Sequence, residues 1–399
     1  VVMPVPALLG RNLEKIKSIA ADKGIANYST DYSIIESPDY QVFFDAGTTQ
    51  MRPDLLTKAM KSGKHVYCEK PIGMSLSEAN HVCKVANETG VKTGIVMDKL
   101  FLPGLIKLKK LVDEDFFGRI LNIKIDFGYW VFTGEDLPEQ KAQRPSWNYR
   151  KADGGSIIFD MMCHWRYVID HIVGKVQSVD CLGITHIPKR WDENDQAYNA
   201  DADDAFYANL MLENGIVAQI NSSWCTRVNR DDLVTFQIDG TKGSAVAGLT
   251  QCKVQSLENT PRPVWNPDAP NNIKFQEQWE PFMAHAQFNN GFKEQWEMFI
   301  KSLYGEGEYI YSLKEKDDLS LIDINVFEGE LRKVLDLIGY KSIIDISMKY
   351  LQSKSSIRIH IDDHHNKIPW QYDCKKFYWT LGDTEKVYFK FYKAGILPI

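Results

Sequence analysis

Apolar and polar positions follow two rhythms over the first hundred residues. Short apolar runs at 6–10, 42–46 and 65–68 have the length of buried strands. Between and after them, 12–23, 53–62 and 75–89 carry the three-to-four-residue spacing of helices, and each stops at a glycine: Gly24, Gly63 and Gly90. Asn12 is placed to cap the first helix, and Ser75-Leu-Ser-Glu78 spells a capping box for the third. Strand and helix in turn, with uniformly apolar strands, predict a parallel, doubly wound sheet. Ligands of such sheets sit at the carboxyl ends of the strands. Lys70 stands at one such end, and Lys99, just past the apolar run that closes at Met97, at another.

From about residue 118 the rhythm changes. A strand-like run at 118–132 leads into a loop rich in Pro, Gln and Arg at 137–153, and one strong helix follows at 156–172. After it come β-like runs at 176–186, 203–213, 216–226, 233–239, 243–247 and 251–256, with turn signals at Glu213-Asn-Gly215 and Asp239-Gly240. A final amphipathic helix at 291–303 is expected to pack against the sheet they form. The fold class is therefore α/β plus α+β: an incomplete Rossmann-type parallel sheet, then an α+β domain with a large, open, mainly antiparallel sheet. The domains are 1–100 (Rossmann-like, dinucleotide-binding), 101–330 (substrate binding and oligomerisation) and a tail at 331–399 that fits neither.

Composition narrows the classes. At 399 residues the chain is too long for one ordinary core, and 44% hydrophobic with 25% charged residues describes a soluble globular protein. A net charge of −6 argues against nucleic acid as a partner. No apolar run approaches the roughly 20 residues that span a bilayer, and no basic-then-apolar leader is present, so a cytoplasmic protein without membrane contact is expected. The seven cysteines are scattered with no C-x-x-C pair, which points to free thiols in a reducing compartment. Two metal candidates, HIDDHH at 360–365 and Asp201-Ala-Asp-Asp204, are expected to be solvated segments, with no metal site predicted.

Three stretches carry candidate chemistry. GKHVYCEKPIGM at 63–74 ends a buried strand in Glu69-Lys70-Pro71. GGSIIFDMMCHWRYVID at 154–170 sets Asp160 and His164 four apart, on one helix face, among apolar neighbours. A carboxylate beside an imidazole orients it and raises its basicity, as a general base requires; a helix-surface ion pair has the same spacing. Arg144-Pro-Ser-Trp-Asn-Tyr-Arg150 gathers Trp147, Asn148, Tyr149 and Arg150, a mixture that suits a sugar and equally an interface loop. Lys99 could reach the same pocket or stay solvated. G-x-S-x-G, Walker and G-x-G-x-x-G motifs are all absent.

G-K-H-V-x-x-E-K-P after a strand, followed far downstream by G-G-x-x-x-x-D-x-x-x-H, resembles the Gfo/Idh/MocA oxidoreductases, relatives of glucose–fructose oxidoreductase and inositol dehydrogenase. The resemblance runs from about residue 5 to 305. It implies a Rossmann domain, a second domain whose open sheet mediates homo-oligomers, a nicotinamide cofactor, and a sugar, polyol or glycoside substrate. On that resemblance Lys70 holds the reacting hydroxyl, His164 removes its proton, and Asp160 orients His164 or binds a neighbouring hydroxyl, while hydride passes to the nicotinamide. Lys99 and Trp147 to Arg150 would meet the substrate. Arg11 and Asn12, Thr48 and Thr49, and Glu69, Lys70 and Pro71 would meet the cofactor, with Arg11 leaning toward NADP over NAD. The sequence starts at what looks like the family's second strand, so the glycine-rich strand-turn-helix and its pyrophosphate cradle are expected to be missing. A catalytically impaired member that binds a sugar or a partner is the second reading.

Overall fold

The computed structural model describes residues 6–131, 144–283 and 290–313, and two short strands at 356–359 and 377–380. The chain divides into two units, Val1–Gln177 with Cys181–Lys316, and Ser178–Asp180 with Asp317–Ile399. The histidine-rich segment at 360–365, the 137–143 part of the Pro/Gln/Arg loop and most of the tail lie outside the described residues.

The first part follows the predicted order: β1 (Ala7–Leu9), α1 (Leu13–Lys23), β2 (Asn27–Ser29), β3 (Val42–Asp45), α2 (Arg52–Lys61), β4 (His65–Cys68), α3 (Leu76–Thr89), β5 (Thr93–Ile95) and α4 (Pro103–Asp113). The predicted caps are in place. Asn12 accepts the Lys15 amide at 3.0 Å, and Gly24 closes α1 at φ +64, in the left-handed region that favours glycine. Ser75 accepts the Glu78 amide at 3.2 Å, whereas the Glu78 carboxylate reaches back to the Met74 amide at 2.6 Å, one residue earlier than a capping box requires. Two elements escaped the pattern. β2 is short, polar and mostly exposed, and α4 begins with Pro103 in its first turn.

All these strands pair in parallel, in two pieces, β1–β2 and β3-β4-β5. β4 shows why the second piece is covered on both sides. Val66 and Cys68 face the core built with α2 and α3. Tyr67, pointing the other way, packs against a later helix.

The second part begins with β6 (Ile120–Gly128). A π-helical turn, Ile158–Met162, runs directly into α5 (Cys163–Ile172). Then follow β7 (Val176–Ile184), the small hairpin β8 (Lys189–Trp191) and β9 (Ala197–Asn199), β10 (Ala205–Leu212), β11 (Val217–Ser223), β12 (Val234–Gly240), β13 (Gly243–Ala247), β14 (Cys252–Ser256), β15 (Glu280–Pro281) and α6 (Gly291–Leu303). Eight strands form one sheet in the order β15-β14-β13-β12-β6-β11-β10-β7. β6 and β11 run parallel; β10–β11, β12–β6, β12–β13, β13–β14 and β14–β15 run antiparallel. Burial alternates along β10: Phe206, Ala208, Leu210 and Leu212 are buried, Tyr207 and Met211 exposed. The buried face packs against α4 and α5 through Leu108, Leu111, Trp165, Val168 and Ile169.

α6 occupies its predicted span but not its predicted place. Its Phe299 and Ile300 pack with Tyr67, Val96 and Tyr309 on the β4–β5 side, and not against the eight-stranded sheet. Tyr67 stacks on Phe299 at 4.9 Å and tilts against Trp296 at 4.6 Å, so an aromatic face on the helix meets the one aromatic residue of β4. The remaining described strands, β16 (Ser356–Ile359) and β17 (Phe377–Thr380), form an antiparallel pair in the second unit.

Candidate functional site

The chain leaves β4 through Glu69 and Lys70, and the Lys70–Pro71 peptide is cis. One buried arginine organises this corner. Arg52 donates to Asp45 Oδ2 at 2.5 Å, to the Gly47 carbonyl at 2.7 Å, to Thr49 Oγ1 at 3.4 Å and to the Pro71 carbonyl. A single guanidinium thus ties the carboxyl end of β3 to that of β4, using its fork of donors.

A cleft of about 1200 Å³ opens along these strand ends. Its wall contains Arg11 and Asn12 after β1, Thr48 and Thr49 after β3, and Glu69, Lys70 and Pro71 after β4. Every predicted cofactor-binding residue is therefore on one surface, at the carboxyl ends of the parallel strands. Burial pushes the Glu69 carboxyl above its ordinary pKa, against the nearby Lys70 charge.

The opposite wall brings in the second part of the chain. Lys70 Nζ donates to Asp160 Oδ1 and to the Asp160 carbonyl, both at 2.7 Å. The other carboxylate oxygen of Asp160 accepts Arg144 Nη2 at 2.6 Å, and the same nitrogen reaches Asn148 Oδ1 at 3.0 Å. Arg144 lies over the Trp224 ring at 4.3 Å. Burial opposes ionisation of Asp160, but Lys70 and Arg144 outweigh it and hold the carboxyl below its usual range. The π turn breaks the regular helical ladder at this point, a feature that recurs at functional sites, and here the Asp160 carbonyl accepts a lysine.

The expected Asp160–His164 pairing is not formed. The wider π turn intervenes, so a spacing of four no longer stacks the two side chains, and both Asp160 oxygens are engaged by cations. His164 is 5% exposed and turns to Tyr167, with Nδ1 2.7 Å from the phenol oxygen. Burial, and then the charges of Lys70 and Lys99, lower its pKa well below the ordinary histidine value, so it is neutral at pH 7.

The substrate-binding expectations divide. Trp147, 44% exposed, and Asn148 line the cleft. Tyr149 does not: it is 1% exposed, its hydroxyl donates to the Val131 carbonyl, and its ring packs against Trp224 and under Arg190. Ser146–Tyr149 is a 3₁₀ turn, whose three-residue period sends Ser146 and Tyr149 inward together and leaves Trp147 outside. Arg150 lies outside the cleft wall, over the Tyr198 ring. Lys99 is outside that wall and partly exposed; its ammonium is 2.5 Å from Asp98 Oδ2. Asp204, read as part of a solvated edge, is fully buried and paired with Arg190 at 2.9 Å.

Sequence reasoning named Arg144 only as a member of its loop cluster, and passed over Asp98 and Tyr167. Tyr167 stands three residues after His164 on the same helix, a spacing that could have signalled contact. Asp98 had no such signal, because it arrives from the segment after β5. There α6 holds the chain: Gln295 Oε1 accepts the Met97 amide at 2.6 Å.

Residues 4–96 match the oxidoreductase family with an NAD-binding Rossmann fold, and 105–246 match the GFO/IDH/MocA C-terminal domain. D-xylose dehydrogenase of Paenarthrobacter nicotinovorans is 47% identical over 338 residues, covering 83% of this chain and 86% of that protein. Levoglucosan dehydrogenase of Pseudarthrobacter phenanthrenivorans is 25% identical over 264 residues, covering 61% and 66% respectively. The structure of a levoglucosan dehydrogenase complex with NADH superposes with a TM-score of 0.63 at 23% identity, over 77% of this chain and 83% of that one, a likeness of fold.

Proposed function

The chain belongs to the GFO/IDH/MocA oxidoreductase family, and on that premise we propose that Lys70, Asp160 and His164 are the catalytic group of a nicotinamide-dependent dehydrogenase acting on a sugar-like alcohol or its ketone. The observation that carries the reading is the Lys70–Asp160 pair, set where a cleft of dinucleotide size meets the turn before α5. The 47% identity to a D-xylose dehydrogenase supports a sugar as the substrate class.

The residues present fit a dinucleotide. The carboxyl ends of β1, β3 and β4 contribute to one cleft, and strand ends are where α/β sheets bind such ligands. Arg11 and Asn12 would hold the adenosine end, with Arg11 placed to meet a 2′-phosphate. Thr48 and Thr49 would line the middle, and Glu69 to Pro71 the nicotinamide end. Bound there, the nicotinamide supplies the hydride acceptor for alcohol oxidation, or the donor for the reverse reaction.

The protein's own groups do the rest. Lys70 has three donors, and Asp160 engages two directions of the ammonium, which leaves one for a substrate oxygen. A fixed ammonium stabilises the alkoxide that develops as the hydroxyl is oxidised. Asp160, held ionised by two cations, keeps that ammonium in place. His164, neutral, takes the hydroxyl proton. Trp147 offers an exposed ring face to sugar C–H surfaces, and Asn148 an amide already fixed by Arg144. Trp147→Ala is expected to raise KM severalfold with kcat little changed, measured by initial rates across substrate concentration.

The test is titration of the purified chain with NADH and with NADPH, read by cofactor fluorescence and thermal shift. Saturable binding of either is expected; no response at millimolar cofactor would sink the enzyme reading and favour a sugar- or partner-binding protein. Where turnover is measured in the oxidative direction, the acid limb of its pH profile is expected below pH 6.5, the ordinary histidine value, because the base must be unprotonated and its pKa is lowered. An acid limb at or above that value would contradict the assignment of His164.

We divide the roles between 1–100 for the cofactor and 101–330 for the substrate. A cytoplasmic location is supported by the free thiols of Cys68, Cys163, Cys225 and Cys252. A homo-oligomer through the open sheet face is supported by its exposed Tyr207, Met211 and Val217, and sedimentation measures it.

A further inference from the structure

We propose that Tyr167 and Asp98 fix the tautomer of His164, keeping a proton on Nδ1 and leaving Nε2 as its open lone pair. The assignment follows from the donors and acceptors around one oxygen. Tyr167 Oη has three polar neighbours: the Lys99 amide at 3.2 Å, Asp98 Oδ1 at 3.4 Å and His164 Nδ1 at 2.7 Å. The amide can only donate, and a carboxylate can only accept. The phenol has one proton to give. If it went to His164 Nδ1, Asp98 Oδ1 would face a phenol lone pair and the ring proton would sit on Nε2. If it goes to Asp98, Oη accepts from both N–H groups and all three neighbours are satisfied. The second arrangement also places the hydroxyl dipole on a charge, in surroundings of low dielectric.

The charges around the ring agree. Asp98 Oδ1 is 3.8 Å from His164 Nδ1, so the carboxylate also faces the imidazolium that forms when Nε2 takes a proton. Asp160, the carboxylate on the ring's own helical segment, is engaged by Lys70 and Arg144. Lys70 and Lys99 disfavour the charged ring, and the buried imidazole rests neutral with a single proton to place. Tyr167 and Asp98 are positioning residues; they act on substrate only through His164. The catalytic consequence rests on the reading of His164 as the base.

Asp98→Asn is the discriminating variant. Asp98 Oδ2 faces the Lys99 ammonium at 2.5 Å, so the amide oxygen of an asparagine must take that side and its NH₂ must face Tyr167. The phenol proton is then driven onto His164 Nδ1, and the ring proton moves to Nε2. ¹⁵N imidazole spectra of the full chain at neutral pH, with His164 assigned by its loss in His164→Gln, should show Nδ1–H in the wild type and Nε2–H in Asp98→Asn. Turnover of the variant should fall about 10²-fold, the scale of a lost general base, with KM within about twofold. Nε2–H in the wild type, or an unchanged tautomer in Asp98→Asn, would overturn the proposal. An inverted tautomer with turnover unchanged would overturn only the base reading, as would undiminished turnover in His164→Ala. Should Asp98→Asn fail to fold, Tyr167→Phe decides: it should lose the Nδ1 preference, and a wild-type spectrum would refute the relay.

Discussion

Lys70→Ala is expected to lower kcat by about 10²–10³-fold, the loss typical of removing one preorganised donor at a developing oxyanion. KM should move far less, because the donor matters most once charge has grown on the substrate oxygen. The fold should tolerate the change. Asp160 keeps Arg144 at 2.6 Å, so its carboxylate is not stranded, and the two charged hydrogen bonds lost, to Asp160 Oδ1 and to its carbonyl, lie at a partly exposed site where each costs about 1.5 kcal/mol, the low end for charged groups. Lys70→Arg should not restore turnover, since a planar guanidinium cannot place one donor on Asp160 Oδ1, a second on the Asp160 carbonyl and a third on substrate. Steady-state rates beside a denaturation curve for each variant separate the effects. A Lys70→Ala protein with kcat within about threefold of wild type would remove Lys70 from the catalytic group.

Lys70 was legible because the cause is local. An apolar strand, a charge at its end and a proline after it place the side chain at a strand terminus whatever the distant packing. The caps at Asn12 and Ser75 were legible for the same reason, as side chains meeting backbone within three residues. The alternating burial of β10 and its neighbours came from the period of two. What stayed hidden depends on distance or on departures from regular geometry. The π turn at Ile158–Met162 leaves no mark in the apolar pattern, yet it separates Asp160 from His164 and gives each a different partner. Asp98 meets Tyr167 across 69 positions of chain, and nothing around Asp98 announces it. Tyr149 and Trp147 look alike in sequence; the three-residue period of a 3₁₀ turn buries one and exposes the other. α6 was found at its exact span, but its partner was not, because an amphipathic face states that it will be buried and not against what.

Arg52→Leu should produce the largest loss of stability, about 3–5 kcal/mol, because Arg52 and Asp45 are 2% and 4% exposed and removing one leaves the other charge buried without its cation. A guanidine denaturation midpoint measures it. The loss has two possible sources: the stranded Asp45 carboxylate, and the carbonyls of Gly47 and Pro71 that lose their donor. The double variant Asp45→Asn/Arg52→Leu distinguishes them. Neutralising Asp45 removes the buried charge but restores nothing to the carbonyls, so recovery of most of the loss assigns the cost to the carboxylate. The remainder then reports on the corner itself, and it should appear in function as well as stability. With Arg52 gone, the strand ends stay paired through the Glu69 amide on the Asp45 carbonyl at 2.9 Å, but the segments just beyond them lose the tie from Gly47 and Thr49 to Pro71, and the turns that flank Lys70 are free to shift. The double variant should therefore regain stability while keeping a weakened cofactor affinity. If it regained both, the tie between β3 and β4 would be dispensable, and Arg52 would serve only to neutralise Asp45.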